Sequence, residues 1–159
     1  MKYKKPYEEQ FNRIVRLRKN LDAYTKITDG NFEEAVDKCT SFFIQCYHLR
    51  DWLIKSGVSK SAVDSFVRGK LCLSLCRDMA NKQKHQSIDR YKPDNSFVDF
   101  QVGVSTPISR FRDPLKQVSK LGVDVWEYGY PLDVLDVADQ CIKDWSNFIE
   151  SHQERMQNS

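Results

Sequence analysis

"LCLSLCRDMANKQKH", residues 71–85, decides how the rest of the chain must fold. From Leu71 to Ala80, apolar side chains point in nearly every direction around a helix, the mark of an element buried at the centre of a bundle. From Arg77 onward the same helix turns polar, and it finishes on Asn81, Lys84 and His85. At about 100° per residue, Val63, Val67, Leu71, Ser74, Asp78, Asn81 and His85 fall on one stripe, apolar in its first half and polar in its second. A central helix needs apolar neighbours, and the flanking sequence supplies them.

Upstream, "SKSAVD" (59–64) offers Ser59 or Ser61 as an N-cap and Asp64 as a first-turn acid, which predicts a third helix from about 59 to 86. Before it, Ala35, Cys39, Phe42, Cys46, Leu49 and Leu53 alternate in steps of four and three, and predict a second helix from Phe32 to Ser56, stopped by Gly57. A first helix over 7–26 carries Phe11, Ile14, Val15, Leu17 and Leu21 and ends at the turn "TDGN" (28–31). Downstream the period changes. Val98, Phe100, Val102 and Val104 alternate with polar or small residues as in a strand, and "VDVWEY" (123–128) reads as its partner. The segment between them, 105–122, reads as a loop or irregular excursion. Pro131 suits the first turn of a last helix whose inner face is Val134, Ala138, Cys141, Ile142, Trp145, Phe148 and Ile149. Its aspartates, Asp133, Asp136, Asp139 and Asp144, read as a solvent face. The expected fold is mostly α: one domain over 1–159, a bundle of four main helices with a small β-hairpin insert at about 97–128.

The 159 residues contain no apolar run long enough to span a bilayer. The start, "MKYKKPYEEQF", lacks the apolar stretch of a signal peptide, so a cytoplasmic location is expected. The five cysteines lack C-x-x-C spacing, and the sequence predicts reduced, buried thiols rather than a metal site, with no cofactor. The net charge of +3 is too small to require a nucleic-acid partner, but it is unevenly spread. Residues 1–26 hold eight Lys/Arg against three Asp/Glu, residues 68–92 seven against two, and residues 131–159 two against six. Either the acidic last helix packs beside a basic one, or a basic side is left for a polyanion.

"CRDMANKQKH" (76–85) resembles the polar motif of HEPN-type domains, small helical bundles in which an Arg, a polar neighbour and a downstream His lie on one helix. Together with "YHLRDW" (47–52) and "DWSNFI" (144–149), it is also similar to a group of uncharacterised bacterial and phage proteins. The resemblance implies RNA or a cognate protein as partner and allows a homodimer. Arg77 and His85 take the catalytic positions of HEPN ribonucleases, with Asp78 as the polar neighbour. Seven residues separate Arg77 from His85, more than the family motif has. Metal-independent RNA cleavage needs a base, an acid and a cation for the phosphorane. His85 could act as base or acid, Arg77 or Lys84 could supply the cation, and Asn81 could orient the imidazole.

Three readings follow. The leading one is a nucleic-acid or protein-partner binding module working through Arg77, Asp78, Asn81, Lys84 and His85. The second is an RNA endonuclease of the toxin or phage-defence type using Arg77 and His85. The third is a structural adaptor that dimerises through a helix face. His48 and Asp51, three apart on the second helix, form a secondary candidate. An antiparallel second and third helix would place residues 48–52 near 60–68, away from the polar end.

Overall fold

The seam from Ala35 to Leu53 forms α2 (Phe32–Lys55), which buries Ala35, Cys39, Phe42, Phe43, Cys46, Leu49 and Leu53. The structure is a computed structural model describing residues 5–28, 30–84, 98–103, 120–125 and 132–157. α2 ends in a Schellman arrangement: the Gly57 N–H donates to the Ile54 carbonyl and the Val58 N–H to the Leu53 carbonyl, both at 3.1 Å. Gly57 takes φ of 100°, a left-handed conformation that a side chain would strain. Val58, buried just beyond, closes the turn hydrophobically.

The expected third helix is two helices. α3 (Lys60–Arg68) is capped by the Ser59 hydroxyl, which accepts from the Ala62 N–H at 3.1 Å. It stops at Gly69, whose N–H donates to the Ser65 carbonyl, and α4 (Leu71–Lys84) begins with the Ser74 N–H on the Lys70 carbonyl. The Ser74 hydroxyl reaches back to the Val67 carbonyl at 2.9 Å, so the joint satisfies backbone that a straight helix would have paired internally. The rotation at this joint breaks the predicted stripe: Val63 and Val67 are buried, whereas Leu71 is 39% exposed. Within α4 the apolar stretch is buried as a central helix should be, through Cys72, Leu73, Leu75, Cys76 and Met79.

β1 (Val98–Gly103) pairs antiparallel with β2 (Lys120–Val125), Val98 opposite Val125 and Gly103 opposite Lys120. The second strand therefore begins three residues before the expected 123–128, taking residues 120–122 from the predicted loop; residues 104–119 and 126–131 lie outside the described residues. A short β3 (Leu132–Asp133), not expected from the sequence, adds to the other edge of β2. Asp133 then caps α5 (Val134–Gln157), its carboxylate accepting from the Leu135 N–H at 2.9 Å. The helix starts after Pro131, which is outside the described residues. Its aspartates are not a uniform solvent face: Asp133 is the buried cap, Asp144 is buried and accepts from the Gln140 amide at 2.9 Å, and Asp139 is exposed.

α1 (Pro6–Asn20) leads into a 3-10 turn at Leu21–Tyr24. Its buried Gln10 donates to the Gln45 carbonyl at 2.8 Å, which docks α1 on α2. Arg18 of α1 grips Asp139 of α5, Nε to Oδ1 at 2.6 Å, so part of the acidic last helix does pack beside a basic one. Trp145, fully buried, meets Phe66 of α3 and Phe148 at ring-centroid distances of 6.1 and 5.9 Å. The fold is mostly α, a helical bundle with the small β-hairpin placed between α4 and α5. No helix among the described residues is long and apolar enough to cross a membrane.

Candidate functional site

At the polar end of α4, Asp78 is only 3% exposed and faces the Arg77 guanidinium, Nε to Oδ1 at 3.0 Å. A carboxylate so far from water must be partnered, and the adjacent arginine meets part of that need. The same contact restrains Arg77, whose side chain keeps 19% exposure. Asn81 lies half-buried one turn further on. Lys84 closes the helix with its side chain outside the described residues, and His85 lies outside them altogether. Of the predicted cluster, the described residues bring Arg77 and Asp78 into direct contact.

The secondary pair is not a pair. His48 and Asp51 are both exposed, and Asp51 accepts from Arg50 Nη1 at 2.7 Å rather than from His48. Arg50 also spans to Asp64 of α3 through two bonds, Nε–Oδ1 and Nη2–Oδ2, the second at 3.1 Å. This confirms the expected meeting of residues 48–52 with 60–68, and it gives Asp64 a different job from the first-turn acid predicted. The Arg50 hydrogen bond holds the Asp64 carboxyl below its ordinary range, and the Asp64 bond in turn raises the guanidinium of Arg50.

Tyr47, half-buried on α2, joins the two groups that the sequence kept apart. Burial pushes its hydroxyl up, while Arg50 and Arg77 pull it down and Asp64 and Asp51 push it further up. The tyrosine therefore lies within electrostatic reach of both arginines. The geometry follows from register. Cys76 of α4 lies beside Cys46 of α2, and the next residues along, Arg77 and Tyr47, are within electrostatic reach of one another. Tyr47 does not stand out in the sequence as a site residue, because its meaning depends on that register and on the joint after Gly69.

Beneath this surface the thiols of Cys46 (α2), Cys76 (α4) and Cys141 (α5) converge, all within 4.8 Å of one another, with Cys76 and Cys141 Sγ atoms 3.4 Å apart. All five cysteines are buried and unbridged. Burial pushes Cys76 and Cys141 well above the ordinary thiol range. Burial also disfavours the Cys46 thiolate, but hydrogen bonds from Cys141, Cys76 and Trp145 outweigh it and bring Cys46 below that range. No linear spacing signals this trio, since each thiol comes from a different helix.

Elsewhere, a groove of about 310 Å³ between α1 and α5 is lined by Tyr7, Asn12, Ser146 and two carboxylates, Glu8 and Glu150, among others, with no cation in its wall. It does not suit an anionic ligand. No family model, curated protein or solved structure matches the chain.

Proposed function

We propose that this chain is a HEPN-like helical module that binds single-stranded RNA across the surface formed by α2 and the polar end of α4. The observation that carries the reading is a pair of arginines, Arg50 and Arg77, each oriented by a carboxylate, with Tyr47 within electrostatic reach of both. An aromatic face beside fixed guanidinium groups is what unpaired nucleotides need: bases stack on the ring, and phosphates take the charge. The buried Asp78 supports the reading because it makes Arg77 a preset group rather than a freely moving side chain. The excess of cations over residues 68–92, with Lys82 on α4 beyond Arg77, supplies a sequence-independent attraction.

Fluorescence anisotropy with a labelled single-stranded RNA tests this. Affinity is expected to fall steeply with salt, and Arg77→Ala to weaken binding about tenfold and reduce the salt slope by about one. Tyr47→Leu should weaken binding while leaving the slope unchanged. The absence of binding at low salt, or salt-independent binding, would sink the RNA reading and turn attention to a protein partner. Cleavage of the RNA by the wild-type chain, lost in Arg77→Ala and His85→Ala, would replace binding alone with the endonuclease reading.

A further inference from the structure

The three thiols under the surface make no contribution to the RNA reading, yet their arrangement is specific. Cys46, Cys76 and Cys141 are each about 0% exposed and arrive from three helices distant in sequence. Cys72, one turn before Cys76 on α4, is buried as well. On α5, the indole N–H of Trp145 donates to the Cys46 carbonyl at 3.1 Å, one turn beyond Cys141, and ties α5 to α2 at the level of the sulfurs. The trio is thus held together by the packing of the core.

We propose that Cys46, Cys76 and Cys141 form a buried thiolate site for one soft metal ion of the Zn2+ or Cu+ class. A tetrahedral zinc with bonds of roughly 2.3 Å sets its sulfurs about 3.8 Å apart. The observed separations, 3.4 Å for Cys76–Cys141 and none above 4.8 Å, are close to that spacing, so ligation requires only small side-chain adjustments. The donor set is purely sulfur, which selects thiophilic ions over oxygen-seeking ones such as Mg2+ or Ca2+. The charge balance favours a dication. Three thiols lose three protons to the solvent as three metal–sulfur bonds form, and Zn2+ leaves a net charge of −1 in the core where Cu+ leaves −2. Since every sulfur is enclosed, the ion must enter while the chain folds and leave only when it opens.

The test uses the full chain, unfolded with a chelator and refolded with either Zn2+ or, under reducing conditions, Cu+. Metal content per chain by mass spectrometry is expected to be near one for one of these ions, and the two arms identify which. Refolding with Co2+ should produce a sulfur-to-cobalt charge-transfer band together with the visible bands of tetrahedral coordination. Cys76→Ala and Cys141→Ala should each lower metal retention about tenfold or more. Cys39→Ala, which removes a buried thiol of α2 outside the trio, should retain the metal and control for general damage to the core. A chelating dye should extract the ion only in denaturant. A refolded helical wild-type chain that retains neither ion and shows no cobalt charge transfer would overturn the proposal, whatever the variants do. Equal metal content in the wild type and both trio variants would overturn it too.

Discussion

Asp64 shows how a single side chain here does a different job from the one its local sequence suggests. Read alone, it is an acid near a helix start; in the fold it is the carboxylate that fixes Arg50 and joins α3 to α2. Its carboxyl is held below the ordinary range, first by the Arg50 hydrogen bond against an opposing burial effect. The sign of the linkage follows. The stabilisation is fully present above the unfolded pKa of about 4, and it is lost as pH falls through the lowered folded value. Asp64→Asn should therefore cost about 0.5–1 kcal/mol at neutral pH, a modest figure because both side chains keep some water contact. The difference between variant and wild type should shrink in urea melts taken at progressively lower pH. A penalty independent of pH would mean that packing, not charge, links the helices. Trp145 lies at the other extreme. It is fully enclosed and bonded to the Cys46 carbonyl, so Trp145→Ala should cost about 3–5 kcal/mol, read as a large loss in the denaturant midpoint.

At the scale of elements, two glycines that look alike in the sequence part company. Gly57 ends α2 with φ of 100°, so Gly57→Ala should destabilise by about 1 kcal/mol or more. Gly69 stands at the joint of α3 and α4 with φ of −79°, and a Cβ there would meet the Ser65 carbonyl oxygen at 3.4 Å. Gly69→Ala should shift the thermal midpoint little, leave the helix content by circular dichroism unchanged, and leave the joint in place. The joint is maintained instead by the Ser74 hydroxyl on the Val67 carbonyl. This contrast explains what could be read beforehand. The stop at Gly57, the Ser59 cap, the two hairpin strands and the buried run of α4 all come from local chemistry or short periodicity, and each was legible. The break at Gly69 was not, because residues 59–86 carry no proline and keep a continuous helical pattern. The meeting of Tyr47 with Arg77 depends on that break, so the more informative half of the candidate site was hidden with it.

For the whole molecule, the strongest constraint is that α2, α4 and α5 meet on cysteine. Cys39 and Cys46, Cys72 and Cys76, and Cys141 belong respectively to those helices, and each is enclosed. A reagent can reach them only if the helices separate, because all five cysteines are buried. Burial also keeps most of the thiols protonated, pushing Cys39 up to about 12, and the protonated form is the unreactive one. Labelling with an aromatic disulfide reagent should therefore find five thiols in denaturant with a chelator, and almost none in the native chain over the time an exposed thiol needs to react. When native labelling does occur, the cysteines of all three helices should react together at a rate that follows global opening. Peptide mapping of partly labelled protein checks this. If Cys141 is modified well before Cys46 and Cys76, then α5 opens by itself, and the core is less cooperative than its shared sulfur cluster requires.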